Sequence, residues 1–279
     1  MIIKWNLTSH ASKFRDASVL VLSVGKSGRT WLRVLLNKYL SLHFDVPFSI
    51  DSLHDRDPRV PAIRFDHEIW SHYADAGPLD YWLGRNVCPD AVLRQKKVAL
   101  LYRDPRDVVV SLYFQKTKRS RQRVEADISE FIRDPRKGIG SIVRVMNLWR
   151  QRLADHPDCL WMRYEAMKAD TAGELARLVR HLQIGEVKED AVRQAVEFAA
   201  FENMKRMEAT DAFGSPILRA RDTSDPNSFK VREGKVGGFR KHFGPADLEY
   251  LDAQLAALDP FYPYRPEGGA SPPASSGPE

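Results

Sequence analysis

Short apolar runs alternate with segments of helical periodicity along this chain. Three runs, at 18–24, 97–102 and 158–163, have the length and composition of buried strands. A segment with apolar residues at three- and four-residue intervals follows the first run directly, and a second such segment covers 138–153. Strands that alternate with helices predict an α/β fold, with a central parallel sheet flanked by helices.

The turn after the first predicted strand carries the clearest functional motif. It reads GKSGRTW from Gly25 to Trp31, and the predicted helix begins within it. A glycine-containing turn between a strand and a helix leaves backbone N–H groups unpaired at the helix N-terminus, and such groups bind phosphate or sulfate. Lys26 and Arg29 add positive charge at the same point. The sequence therefore predicts an anion-binding site here.

Two common nucleotide-binding patterns do not fit this turn. In a Walker A loop the first glycine lies five residues before Gly-Lys-Ser, and Leu20 occupies that position relative to Gly25. The dinucleotide pattern G-x-G-x-x-G fails as well, because Gly25 and Gly28 have the wrong spacing. A P-loop kinase or nucleotide hydrolase with a degenerate loop stays an alternative. It requires an acidic Mg²⁺ ligand at a strand end, where this chain has Arg103.

The K-S-G-x-T-W arrangement resembles the 5′-phosphosulfate loop of the cytosolic-type sulfotransferases, which use 3′-phosphoadenosine 5′-phosphosulfate (PAPS). The next segment in the family's order is R-D-P-R-D-V-V-V-S, from Arg103 to Ser111. The resemblance implies that this arginine and this serine hold the 3′-phosphate. Asp104 and Pro105 are typical of a helix N-cap and a first helical position. The implied cofactor-binding residues of the loop are Lys26, Ser27, Gly28, Arg29, Thr30 and Trp31.

Two later segments complete the resemblance. Y-E-A-M-K at Tyr164 is similar to the family's Y-E-D-M-K, and Phe201 lies in a weaker F-x-x-M pattern. The resemblance places both aromatic residues near the adenine. In the basic, glycine-rich segment 229–243, which predicts a loop, Arg232 and Gly234 match the family's R-K-G signature. These two residues are thereby implied to bind the 3′-phosphate, although a glutamate replaces the lysine between them.

A histidine between the loop and the second motif occupies the place of the family's catalytic histidine. His67 lies in I-R-F-D-H-E; Phe65 stands where the family has a lysine, and Arg64 is one residue off. The resemblance implies that neutral His67 accepts the proton of an acceptor hydroxyl or amine, while Lys26 stabilises the phosphosulfate. His67 and His72 are five residues apart, which is wrong for the zinc motif H-E-x-x-H, so we predict no metal.

The resemblance covers nearly the whole chain, from about 18 to about 250, and implies a single P-loop-like domain with the sulfotransferase fold. We assign 1–265 to that domain. The segment 266–279 is rich in Pro, Gly and Ser and is predicted to be disordered. The chain shows no signal peptide and no membrane span, and its two cysteines are too few for a disulfide framework, so we expect a cytoplasmic protein.

The net charge of +6 and the pI near 9.3 suit an anionic ligand, and a nucleic-acid-binding protein is the second alternative. Only 116–123 is densely basic. Its composition favours a solvated loop, and a mobile lid or a contact for an acidic acceptor is the alternative. We therefore expect no nucleic acid. The family's dimer motif is nearly absent, which favours a monomer or a non-standard oligomer.

The acceptor is expected to be a small molecule, lipid or glycan with a hydroxyl group. Its pocket should be lined by 44–50, 65–82 and 208–228, which connect the motifs. These segments are rich in aromatic residues and favour an apolar or ring-bearing acceptor, although aromatic residues more often belong to a core. The aromatic residues considered are Phe44, Phe48, Trp70, Tyr73, Tyr81, Trp82 and Phe213.

Overall fold

Four parallel strands in the order β2-β1-β3-β4 form the centre of the molecule. The computed structural model describes residues 14–70, 87–120 and 123–266. The predicted α/β class with a central parallel sheet is confirmed, and the three predicted strands are observed to within a residue at each end. The strands are β1 (Val19–Ser23), β2 (Ile63–Asp66), β3 (Lys97–Tyr102) and β4 (Cys159–Arg163).

Helices connect the strands and cover both faces of the sheet. The predicted helices behind β1 and over 138–153 are both observed, the second from Ile139. The helices are α1 (Arg29–Phe44), α2 (Glu68–Trp70), α3 (Asp90–Leu93), α4 (Pro105–Phe114), α5 (Ile128–Arg133), α6 (Ile139–Leu153), α7 (Tyr164–Ala169), α8 (Thr171–Leu182), α9 (Glu189–Phe198), α10 (Phe201–Ala209) and α11 (Pro245–Leu255).

The two central strands are apolar on both faces because helices cover both. Leu20 and Leu22 of β1 belong to one buried cluster, which includes Trp149 of α6. Val19 and Val21 point to the opposite face and pack with the apolar side of α1. Alternation along a strand sends successive side chains to opposite faces, so a strand buried on both faces reads as one continuous apolar run. This is the pattern that made β1 predictable.

Strand β2 was not predicted, and its composition explains why. It lies at one edge of the sheet, pairs only with β1 among the described strands, and all four of its residues are partly exposed. Two of the four are charged, and Arg64 pairs with Asp66 at 2.7 Å. An edge strand needs no continuous apolar run, so its sequence gives a weak signal.

The start of α4 agrees with the prediction. Asp104 is the N-cap, its carboxylate accepts a hydrogen bond from the backbone N–H of Arg106 at 2.8 Å, and Pro105 occupies the first turn. The buried guanidinium of Arg106 returns to Asp104 at 2.9 Å and reaches Asp252 of α11 at 3.1 Å. These contacts fix the turn between β3 and α4, which carries Arg103.

The segment 229–243 is irregular, as predicted, except for a 3-10 helix at Gly238–His242. Residues 267–279 of the predicted tail lie outside the described residues, so the domain boundary and the disorder of that tail stay predictions. Within the described parts of the chain, no helix is both long enough and apolar enough to cross a membrane.

Candidate active site

The predicted site residues follow the carboxyl ends of all four strands. The connection from β1 leads to β2 on one side, whereas β3 and β4 lie on the other, so the chain changes direction between β1 and β3. In open parallel sheets a crevice forms outside the strand ends at such a point, and ligands bind there. A cavity of about 660 Å³ occupies this position.

The cavity collects nearly every residue that the motifs predicted. Ser27 is the exception, because its side chain is fully buried, does not line the cavity, and its hydroxyl has no hydrogen-bond partner. Segments separated by more than 200 positions in the chain meet at this one wall. The predicted residues that line it are Lys26, Gly28, Arg29, Thr30, Trp31, His67, Arg103, Ser111, Tyr164, Phe201, Arg232 and Gly234.

The loop between β1 and α1 has the backbone geometry of an anion site. Lys26 and Gly28 have φ of 67° and 94°, and Gly28 is the N-cap of α1. The first N–H groups of a helix have no intrahelical acceptor. At the start of α1 no side chain caps these groups, and no acidic residue lies in the first turn. A Cβ on Gly28 would lie 2.8 Å from the ring of Tyr164. Both the left-handed φ and this contact require glycine.

Lys26 is partly buried and lies among other cations. Burial, followed by the charges of Arg119, Lys230 and Arg29, holds the pKa of Lys26 well below its usual range. An ammonium group in such surroundings is unfavourable without a counter-ion. The site therefore has a strong electrostatic preference for an anion beside Lys26.

His67 lies at the end of β2 and is in contact with the loop. The parallel pairing of β2 with β1 puts Asp66, the residue before His67, opposite Leu22. Nη1 of Arg29 lies 2.6 Å from Nδ1 of His67. A guanidinium is only a donor, so Nδ1 accepts this hydrogen bond and the proton of neutral His67 is on Nε2. The next residue, Glu68, is buried and paired with Arg152 of α6 at 3.0 Å, which anchors the backbone behind His67.

Arg64 has a different partner, although its sequence position near His67 suggested the family's lysine. Its guanidinium donates to Asp66 Oδ2 at 2.7 Å and lies 4.9 Å from the ring centre of Phe14. It is not part of the cavity wall. The described residues therefore place Arg29, rather than Arg64, beside the histidine.

Arg103 is held between three groups at the end of β3. Its Nη2 donates to Asp107 at 3.0 Å and to the carbonyl of Lys235 at 2.7 Å, and its guanidinium lies 4.2 Å from the ring centre of Tyr164. Its buried Nε has no hydrogen-bond partner. Ser111, two turns along α4, lines the same cavity. The pair therefore faces the same cavity.

Two buried acids hold the segment 230–239 against the cavity, and sequence reasoning missed both. Asp107 accepts hydrogen bonds from the backbone N–H groups of Gly237 at 2.9 Å and Phe239 at 3.0 Å. Glu208 of α10 accepts from the N–H groups of Lys230 at 2.6 Å and Val231 at 2.8 Å. An acidic residue in a cationic cavity suggests catalysis, but these carboxylates position a loop. Of these two acids, only Asp107 lies within a recognised motif, as the second aspartate of R-D-P-R-D.

Arg232 reaches the cavity from this loop. Its guanidinium lies 4.2 Å from the ring centre of Phe114 and is hydrogen-bonded to Glu233. Glu233 also pairs with Lys241 at 2.7 Å. Burial is the first cause that lowers the pKa of Arg232. Glu233, in the place of the family's lysine, thus compensates Arg232 instead of adding positive charge.

Aromatic rings line one end of the cavity. Trp31 donates from Nε1 to the carbonyl of Ala199 at 3.0 Å, and its ring lies 5.9 Å from Tyr164 in an edge-on arrangement. Phe201 lies so close to Gly234 that a Cβ on this glycine would be 2.9 Å from the ring. All three rings line the cavity, and aromatic faces of this kind can stack on a planar ring.

The expected aromatic acceptor pocket is not formed by Phe48 and Phe213. Their ring centres are 5.3 Å apart, Phe48 also packs on Phe198 at 4.9 Å, and none of these rings lines the cavity. Trp70 does line it. Tyr73, Tyr81 and Trp82 lie outside the described residues.

No cluster of three or more His, Cys, Asp or Glu side chains able to hold a metal ion occurs within 14–70, 87–120 and 123–266. The charged groups at the cavity are mainly Lys and Arg, which bind phosphate and sulfate directly.

A strand–loop–helix anion site at the carboxyl edge of a parallel sheet defines a phosphate-binding α/β protein. The family model "Sulfotransferase domain" matches residues 16–257. Cytosolic sulfotransferase 17 of Arabidopsis thaliana is 28% identical over 267 residues, which cover 88% of this chain and 76% of that protein.

Two solved structures have a similar fold. Mouse sulfotransferase SULT7A1, complexed with PAP, aligns with a TM-score of 0.62 and 21% identity over 91% of this chain and 88% of its own. Retinol dehydratase, in complex with androsterone and the inactive cofactor PAP, aligns with a TM-score of 0.57 and 19% identity over 92% and 87%.

This chain belongs to the sulfotransferase domain family, since the family model matches most of its length. The resemblance inferred from the motifs is thereby confirmed. The protein is a sulfotransferase, and transfer from PAPS is the general reaction of this class.

Proposed function

We propose that this enzyme transfers the sulfuryl group of PAPS to the hydroxyl of a small acceptor, with His67 as general base and Lys26 as the group that stabilises the phosphosulfate. The observation that carries the proposal is one cavity that unites an uncapped helix N-terminus, a partly buried lysine that forms no salt bridge with the described residues, and a histidine. The relatives named cytosolic support a cytoplasmic enzyme. We propose no nucleic-acid partner.

The cavity has a place for each part of the donor. The free N–H groups at the start of α1, with Lys26 and Thr30, suit the 5′-phosphosulfate. Arg103, whose Nε has no partner, faces the same space as Ser111 and Arg232, and these groups suit the 3′-phosphate. The rings of Trp31, Tyr164 and Phe201, which line the cavity, suit the adenine.

The reaction forms one bond to sulfur and breaks another. The acceptor oxygen attacks sulfur, the bond between sulfur and the phosphate oxygen breaks, and PAP leaves with the electron pair. The hydroxyl proton goes to His67. Lys26 neutralises the negative charge that develops on the departing phosphate oxygen, a role that a fixed, desolvated cation performs well. His67 and Lys26 thus act at opposite ends of the bonds that change.

Arg29 has to leave His67 before this proton transfer. In the structure Nδ1 accepts from Arg29, and the other ring nitrogen carries the proton, so no lone pair is available to the acceptor. The phosphosulfate lies at the loop that carries Arg29 and competes for its guanidinium. Binding of the donor then frees Nδ1, and we propose that PAPS binds before the imidazole becomes a competent base.

Titration with PAP, without metal, tests this function. We expect PAP to bind at least about tenfold more tightly than AMP, which lacks only the 3′-phosphate, because hydrogen bonds to charged groups contribute about 1.5–3 kcal/mol. Isothermal titration measures both affinities beside ADP and ATP-Mg²⁺. Binding of ATP-Mg²⁺ alone would support a kinase, and binding of none of the four would refute the proposal.

Arg103→Ala should remove most of this preference for PAP over AMP. Its guanidinium faces the proposed 3′-phosphate site. The substitution should therefore weaken the binding of PAP and leave the affinity for AMP nearly unchanged. Ser111→Ala provides a smaller change at the same site without disturbing the contact with Lys235. Arg94→Ala is the matched control, since Arg94 is exposed and outside the cavity. An unchanged PAP/AMP ratio in Arg103→Ala contradicts the assignment.

PAP binding should take up protons at pH 8. Burial first, and then the charge of Arg119, lowers the pKa of Lys230 to about 8, and the pKa of Lys26 is lowered as well. A bound anion favours the charged ammonium forms and raises both pKa values, so affinity falls as the pH rises above about 8. Titrations in buffers of different ionisation enthalpy measure the uptake; proton release at pH 8 would contradict this electrostatic account.

A further inference from the structure

The cations of this cavity differ in whether a carboxylate compensates them. Arg103 pairs with Asp107, and Arg232 pairs with Glu233. Arg119 lines the same cavity, yet its buried Nε and Nη1 have no hydrogen-bond partner among the residues that the structure describes. A buried polar nitrogen without a partner is unfavourable, so this guanidinium is arranged for a group that the described residues do not supply.

Lys230 is a second uncompensated cation beside Arg119. Its Nζ donates to the carbonyls of Pro216 at 2.8 Å and Ile217 at 2.6 Å, which are neutral acceptors. The nearby acid, Glu208, already accepts two backbone N–H groups through its two carboxylate oxygens. Burial is the leading cause that lowers the pKa of Arg119 to about 10. Among the described residues, the two cations therefore share a part of the cavity with little negative charge.

The donor alone does not balance this charge. Its phosphosulfate carries two negative charges, whereas Lys26 lies near the charges of Arg29, Arg119 and Lys230. Among the described residues, the acids that act on these cations are Glu208, which already accepts backbone N–H groups, and Asp66, which is paired with Arg64. An ionised carboxylate, phosphate or sulfate on the acceptor would supply the missing negative charge.

The backbone holds Arg119 in place. It ends a π-helical turn, Gln115–Arg119, that extends α4, and such turns are frequent at functional sites. The carbonyl of Arg119 accepts from Nη1 of Arg221 at 2.8 Å, and Thr117 Oγ1 donates to the carbonyl of Tyr113 at 2.8 Å. These hydrogen bonds stabilise the turn from which the guanidinium of Arg119 reaches the cavity. The composition of 116–123 had favoured a solvated loop here.

We propose that the acceptor is an anionic small molecule, in which a carboxylate or phosphate group near the hydroxyl is bound by Arg119 and Lys230. This inference rests on the proposed sulfotransferase function and adds the charge class of its acceptor. The cavity wall also contains Met204, Val196 and Pro216, which suit the hydrocarbon body of such a molecule. The acceptor's charge, rather than an aromatic pocket, then selects it.

The test is binding to the PAP-saturated enzyme, which requires no turnover. The probes are 4-hydroxyphenylacetate, its neutral primary amide, and 4-hydroxybenzylphosphonate, which distinguishes a phosphate site from a carboxylate site. We expect at least one anionic probe to bind about tenfold or more tightly than the amide, as charge-assisted hydrogen bonds predict. Arg119→Gln should reduce this preference to within about threefold, while Arg119→Lys keeps part of it.

The controls separate this inference from the proposed function. Arg94→Gln, at an exposed position outside the cavity, should behave as the wild type. If the amide binds as tightly as the anions, or no anionic probe binds, the inference is overturned. It is also overturned if Arg119→Gln weakens PAP by about tenfold or more, as expected for a direct donor ligand, because Arg119 then belongs to the donor site. Failure of the wild type to bind PAP would instead refute the proposed function.

Discussion

His67→Asn lowers kcat by about 10²–10⁴-fold and leaves PAP affinity within about threefold of the wild type, because general-base catalysis contributes this much and the donor-binding groups lie on other elements. Rates are measured with an acceptor that the wild type sulfates, and PAP affinity by isothermal titration. His54→Asn is the matched control: His54 contacts the carbonyl of Val60 and lies outside the cavity. A near-normal kcat in His67→Asn would remove the base assignment.

The Arg29 contact gives this prediction a second readout. Nitrogen NMR of the free enzyme should find Nδ1 of His67 unprotonated and Nε2 protonated, since Arg29 donates to Nδ1. Addition of PAP should change the Nδ1 signal as Arg29 moves to the phosphate. A signal that does not respond to PAP contradicts the proposed release of His67, even if the variant is inactive.

Lys26→Met lowers kcat by about 10²–10³-fold, the usual loss when one group that stabilises a developing negative charge is removed. Stability should change in the opposite direction. Burial and three neighbouring cations disfavour the charge of Lys26 in the free enzyme, so its removal relieves repulsion and the melting temperature without ligand should stay equal or rise. Steady-state kinetics and thermal unfolding of the same preparation measure both effects.

Lys38→Met is the control for this variant, since Lys38 lies on α1, the helix that follows the Lys26 loop, but outside the cavity. It should retain kcat and show no gain in stability. A lower melting temperature for Lys26→Met would mean that the ammonium group stabilises the free loop. In that case a loss of activity would not establish a role in the transition state.

Local motifs explain why much of the site could be predicted. The strand–turn–helix at Lys26 and the N-cap at Asp104 depend on neighbours a few residues away, and both occur as expected. Edge strand β2 was missed because two of its four residues are charged. Ser27 is buried and does not line the cavity. The motif could not predict this, because it does not distinguish residues that face the ligand from residues that face the core.

The sequence by itself determined the class of fold, the family and the cavity's main residues, because the motifs are short and their order along the chain is specific. Only the tertiary structure decided which charges meet. The contact between Arg29 and His67 depends on β2 pairing beside β1, and the contacts of Asp107 and Glu208 join residues 22 to 132 positions apart. Whether Arg119 has a counter-ion likewise depends on which carboxylates are already engaged, and no linear pattern records that.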